Sequence, residues 1–181
     1  MSNISSIGRF SEIPIASLTG EQVALLEDVA QSRRGPVPLP YKIWLNSPAL
    51  VKSLLPLGTF LLHDSSLTQR EVEIAILVSA AHWGSAYVWD GHARAARELG
   101  LPLTVIDAIR EAAVPSFDHE REQVIYEVAV ALHSSHKVSG VLFERAVQTI
   151  GHNGISELTL LLGHYTAVAF ALLTYEIPGR P

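Results

Sequence analysis

From Leu158 to Tyr175 the chain runs without a single charged residue. A helix made of such a run has no face that water solvates well, so it belongs in a protein core, at a contact between subunits, or in a bilayer. A bilayer span needs about 20 apolar residues. The run is borderline by that measure, His164 lies near its middle, and no basic cluster flanks it. A core or subunit-contact helix is therefore expected, with no membrane partner. Elsewhere apolar residues recur at helical spacing and no strand alternation persists. The expected fold is all-α, a single domain of about seven or eight helices.

Start and stop signals divide the chain. Residues 1–17 read as an irregular lead-in. Thr19 with Gln22 forms a capping-box pattern ahead of Val23, Leu25, Leu26 and Val29. The alternating Pro36, Pro38 and Pro40 in Gln31–Pro40 forbid a helix there and favour an extended loop. Ser47-Pro48 supplies a capping serine and a first-turn proline, and Pro56 implies a kink further on. Gly100-Leu101-Pro102, Pro115-Ser116 and Ser139-Gly140 separate the later helices, and Gly151-His152-Asn153-Gly154 reads as a turn before the last one. The expected organisation is a helix and proline-rich loop over residues 1–46, then a helical core over residues 47–176.

Composition excludes several functions. The net charge is −5 with no Lys/Arg-rich block, which argues against nucleic acid as a partner. The chain has no cysteine, so disulfides, thiolate metal sites and thiol redox catalysis are chemically impossible. No basic segment followed by an apolar run opens the sequence, and a cytoplasmic protein is expected. Glycine-rich phosphate loops, GxSxG and HExxH are absent. His133-x2-His136 has no third ligand placed by spacing, so neither a metal nor another cofactor is expected.

The catalytic-looking stretch is Glu71–Leu99, two helices broken near Gly84. Ser85, Val88, Trp89, His92, Ala96 and Leu99 share one face of the second helix, so His92 interrupts an apolar stripe. A lone histidine there is either a packed core residue or an acid/base group, and Glu73 is the nearest candidate partner. Ser85 lies two turns from His92, roughly 10 Å along the axis; it reads as a helix cap or a substrate contact. Tyr87 is about 140° around the helix from His92, which favours packing against a different neighbour over a substrate contact. His82 either contacts the substrate or simply suits a helix C-terminus. Glu157 shares a face with His164 and is a candidate second polar wall. Asp90 and Arg94 form a favourable i,i+4 pair, and the phase of Arg94 and Arg97 turns both away from His92.

Glu73, Ser85, Val88 and His92 fall in the frame Glu-x11-Cys-x2-Cys-x3-His. With "HWGSAYVWDGHARAARELGL" and "GISELTLLLGHYTAVAFALL", the stretch from Ser47 to Tyr175 resembles the alkylhydroperoxidase D and carboxymuconolactone decarboxylase superfamily. Both cysteine positions hold other residues, Ser85 and Val88. The resemblance implies the alkylhydroperoxidase-D-like fold and a homo-oligomer, a trimer or hexamer. It also implies a decarboxylase-like lyase acting on a small organic acid or lactone, with His92 as general acid/base and Glu73 orienting it. The alternatives are a non-catalytic oligomer of the same fold, or a peroxidase relative without thiol peroxidase activity.

Overall fold

The computed structural model describes residues 6–180; of the lead-in, residues 1–5 lie outside it. Eight helices and one two-stranded hairpin make up the described chain. Strands β1 (Ser6–Ile7) and β2 (Phe10–Ser11) pair antiparallel, and the helices are α1 (Gly20–Arg33), α2 (Leu39–Trp44), α3 (Pro48–Thr59), α4 (Gln69–Trp83), α5 (Ala86–Glu98), α6 (Leu103–Arg110), α7 (Glu120–Ser134) and α8 (Gly140–Thr174).

Helix α4 is the axis of the molecule. Every residue from Glu71 to Ala80 is buried, and α5, α6, α7 and α8 pack around it. A helix buried on all sides needs its polar groups satisfied. Thr68 caps its N-terminus in a reciprocal box with Glu71. Arg121 of α7 reaches the same carboxylate with Nε at 2.7 Å and Nη2 at 3.1 Å. At the other end Gly84 ends α4 in the left-handed conformation, φ 63°, which a side chain disfavours. That turn folds α5 back along α4.

The charge-free run lies in α8, but it is not the most buried helix. Its inner face, including Leu158, Leu161, Leu162, Val168 and Leu172, joins the core. Its outer face exposes Leu160 at 47%, Phe170 at 49% and Leu173 at 41%. By length and composition α8 is apolar enough to cross a membrane, yet half of its most apolar window is buried in the protein. The expected turn at 151–154 is a kink at Gly151, φ 69° and ψ 171°, across which the helix continues.

The N-terminal capping box, Thr19 with Gln22, forms as expected. Other local expectations are corrected. Ser47 makes no capping bond, although Pro48 does open α3. The proline segment is not all loop: Pro38 precedes α2 and Pro40 sits in its first turn, where a missing N–H costs nothing. Asp90 does not pair with Arg94; its carboxylate accepts the Arg180 backbone N–H at 2.7 Å. The backbone group offers a fixed partner, whereas an exposed i,i+4 pair is worth only a few tenths of a kcal/mol, about 0.3. Phe10, Leu39 and Ile43 belong to the same core as α4 and α8, so the segment before Ser47 is built into the helical core.

Candidate active site

The helix turn at Gly84 brings Glu73 of α4 against His92 of α5. His92 Nδ1 donates to Glu73 Oε2 at 2.8 Å. The carboxylate is buried, with 9% of its side chain exposed, and the imidazole keeps 22%. Because Nδ1 carries the proton given to Glu73, Nε2 is the nitrogen left for other chemistry.

His92 lines a cavity of about 170 Å³. Its walls are rings in sequence: Tyr41 lies 5.7 Å from Trp44, Trp44 6.5 Å from His164, His164 5.6 Å from Tyr165, and Tyr165 5.1 Å from His92, edge to face. Leu62, Val88 and Val168 supply aliphatic wall. Helix α5 contributes His92, Val88 and Tyr87; α8 contributes His164, Tyr165 and Val168; α2 closes the side with Pro40, Tyr41 and Trp44.

Charged and polar groups form two clusters around the cavity. Glu73 and His92 form one. At the other, Arg33 Nη2 donates to the Tyr41 hydroxyl at 2.6 Å, and its guanidinium lies 5.2 Å from that ring's centre. Both groups rest against Gly58, where an added Cβ would stand 2.7 Å from Tyr41 Oη and 2.8 Å from Arg33 Nη2. Burial, with the Arg33 charge adding to it, pushes the His164 imidazole down to about 4, so this ring is neutral at pH 7. Burial and the Glu73 carboxylate push the Tyr165 phenol well above its ordinary value, which keeps its hydroxyl protonated as a donor. Arg180 completes the lining, its guanidinium 4.2 Å from the Tyr87 ring centre.

The sequence-derived candidates separate. Glu73, His92 and Tyr87 come together; Tyr87 lines the same cavity as His92 instead of packing elsewhere, and its hydroxyl accepts the Leu39 N–H at 3.4 Å. Ser85 is not at this cavity. It is 2% exposed, gives no capping bond, and its Oγ has no partner among the described residues. His82 stacks on His133 at 4.8 Å, away from His92. Glu157 faces the loop before α4, accepting from Ser66 N–H at 2.7 Å, Ser66 Oγ at 2.6 Å and Asn153 Nδ2 at 3.0 Å. A buried carboxylate takes the nearest donors, here Ser66 of the loop and Asn153 one turn earlier on α8. Its helical partner His164 does reach the cavity. His133 pairs its Nε2 with Ser79 Oγ at 2.9 Å, and no group of three metal-ligating side chains exists among the described residues. Spacing missed Arg33, Tyr41, Trp44, Tyr165 and Arg180. Tyr165 alone carried a signal, as a polar-tipped ring beside His164 in a charge-free helix.

Residues 48–132 match the carboxymuconolactone decarboxylase family. The matched stretch, like the rest of the chain, holds no cysteine. No curated protein matches the sequence. Solved structures share the fold of this chain. An uncharacterized peroxidase-related protein from Silicibacter sp. TM1040 superposes with a TM-score of 0.77 at 17% identity, covering 99% of this chain and 95% of its own. An alkylhydroperoxidase AhpD core protein from Ralstonia eutropha JMP134, also peroxidase-related and uncharacterized, gives 0.79 at 16% identity, covering 97% and 94%. The apo debrominase Bmp8 gives 0.74 at 11% identity, covering 93% and 90%. The family match includes Glu73, Tyr87 and His92 but not Arg33, Tyr41, Trp44, Tyr165 or Arg180.

Proposed function

We propose that this protein is a decarboxylase-like lyase acting on a small organic acid or lactone, with His92 as its general acid/base. One observation carries the reading: the Glu73–His92 hydrogen bond holds His92 in the wall of a ring-lined cavity. In the reaction the C–C bond to a substrate carboxylate breaks and carbon dioxide leaves. The bonding electron pair moves toward an adjacent carbonyl. Tyr165, which lines the cavity with its ring centre 5.1 Å from that of His92, is the candidate hydroxyl donor for the resulting oxyanion. Nε2 takes up a proton from solvent, His92 delivers that proton to the carbon and returns to the form with its proton on Nδ1, and Glu73 stabilises the imidazole in each charge state. The apolar walls favour the step by removing water from a charge that disperses as the bond breaks. Peroxide reduction through thiols is outside this chemistry, since the chain has none.

The reading includes assembly as a homo-oligomer. The support is the outer stripe of α8, where Leu160, Gly163, Ala167, Phe170 and Thr174 are exposed at coiled-coil-like spacing.

A panel of small keto acids, carboxylated lactones and aryl acids, followed by carbon dioxide release, tests the function. Release by the native protein that falls about 10²–10⁴-fold in His92→Gln supports it. Release equal in the two proteins overturns it.

A further inference from the structure

The cavity holds more positive charge than its own residues neutralise. Arg33 has no carboxylate partner among the described residues; its hydrogen bond goes to the neutral Tyr41 hydroxyl, and its Nε is buried without a partner. A buried guanidinium donor left without an acceptor costs free energy unless something else supplies one. The neighbouring His164 cannot serve as a counter-ion because it is neutral. Arg180, also without a carboxylate on its side chain, lines the same space. Arg94 and Arg97, the cations nearest His92 in sequence, line another groove.

We propose that Arg33, braced by Tyr41 against Gly58, binds a carboxylate that the substrate keeps in the cavity that His92 lines. The inference rests on the cavity being the substrate site. The bound carboxylate is a handle and not the leaving group. An ion pair with Arg33 stabilises a ground-state carboxylate more than the departing, nearly neutral carbon dioxide, so pairing the leaving group would slow the reaction. Size limits the rest of the molecule: a cavity of about 150 Å³ holds benzene, so about 170 Å³ takes one ring with small substituents. The substrate class is a single-ring or short unsaturated acid whose product is still an anion. Gly58 is the enabling residue, because any side chain there would displace both the guanidinium and the tyrosine hydroxyl that holds it.

Benzoate is the probe, with benzamide as its uncharged analogue, titrated by calorimetry into the native protein, Arg33→Gln, Tyr41→Phe and His92→Gln. Benzoate should bind the native protein more tightly than benzamide does. Arg33→Gln should weaken benzoate about 10–100-fold and leave benzamide unchanged. Tyr41→Phe, which keeps the charge but frees the guanidinium, should weaken benzoate by less, and it serves if Arg33→Gln is unstable. His92→Gln should keep the preference for benzoate over benzamide, because the Arg33 guanidinium that sets it remains. Once a substrate is known, Arg33→Gln should raise KM more than it lowers kcat, because a handle contributes uniform binding. No benzoate binding to the native protein, or equal benzoate binding with and without the Arg33 guanidinium, overturns the proposal. If His92→Gln keeps full carbon dioxide release while the benzoate results hold, the lyase reading falls and the Arg33 site stands.

Discussion

His92 and Glu73 are asymmetric partners, and substitution should show it. His92→Gln removes the group that transfers the proton, with the expected large loss in turnover. Glu73→Gln keeps a hydrogen-bond acceptor for Nδ1 and should cost less, about 10-fold. Circular dichroism and melting should be near native for both; a collapsed melt in His92→Gln with unchanged turnover of the folded fraction would make it a packing residue. Two other histidines give the protein a pH dependence of stability. His133 and His164 are both held near 4 in the fold, chiefly by burial, against 6.5 when unfolded. Between those values the unfolded chain binds the extra protons. Stability is therefore full above about 6.5 and declines as pH falls toward 4. Melting temperatures across that window should drop, and His164→Phe should flatten the profile if the fold accepts the ring. The fixed spacing of the family frame paired Glu73 with His92, and the structure joins them by a hydrogen bond. Ser85, His82 and Glu157 lie away from the cavity that His92 lines, and residue type and helical phase do not show this: one of the partners of Glu157 is Ser66 of a distant loop, to which no periodicity connects it.

Helix boundaries were legible where a side chain or glycine closes the hydrogen-bond ladder, as at Thr19, Gly84 and Ser139, but the Thr68 cap of α4 went unread. The rank of the helices was not. A charge-free sequence marked the last helix as a core or subunit-contact element, yet α4, with two glutamates, is the one enclosed on all sides. Those glutamates are hydrogen-bonded by side chains of other helices, Arg121 and His92, which local pattern does not show. Breaking the first should be costly. Glu71→Ala leaves an Arg121 that is 41% exposed and partly rescued by water, and strips the α4 cap. A loss of about 2 kcal/mol or more in urea unfolding is expected. Helix α8 makes its own prediction. Phe170→Glu places a charge in the exposed apolar stripe and should shift the protein toward monomers in light scattering, with helicity retained. A native protein already monomeric at micromolar concentration would remove the basis for the oligomer.

As a whole the molecule is helical apart from one short hairpin among the described residues, and far-ultraviolet circular dichroism should show negligible sheet. Composition set the redox limits at the same scale: without cysteine, dithiol-dependent hydroperoxide reduction should be undetectable in metal-free protein. The expected division at residue 46 was the part of the architecture that sequence least resolved. Prolines and a loop-like composition concealed a segment that packs into the core and closes the cavity through Tyr41 and Trp44. That arrangement has a consequence for how such a protein changes over generations. The pair proposed to transfer the proton sits inside the family-matched stretch, and the side chains proposed to hold a ligand's charge sit outside it, in α1, α2 and the tail at Arg180. The two can drift separately. Lineages that preserve residues 48–132 while rewriting the stretch around Arg33 and Tyr41 would retain the same acid–base engine and acquire new diets, so kinship read from the shared stretch says little about which molecule any one of them consumes.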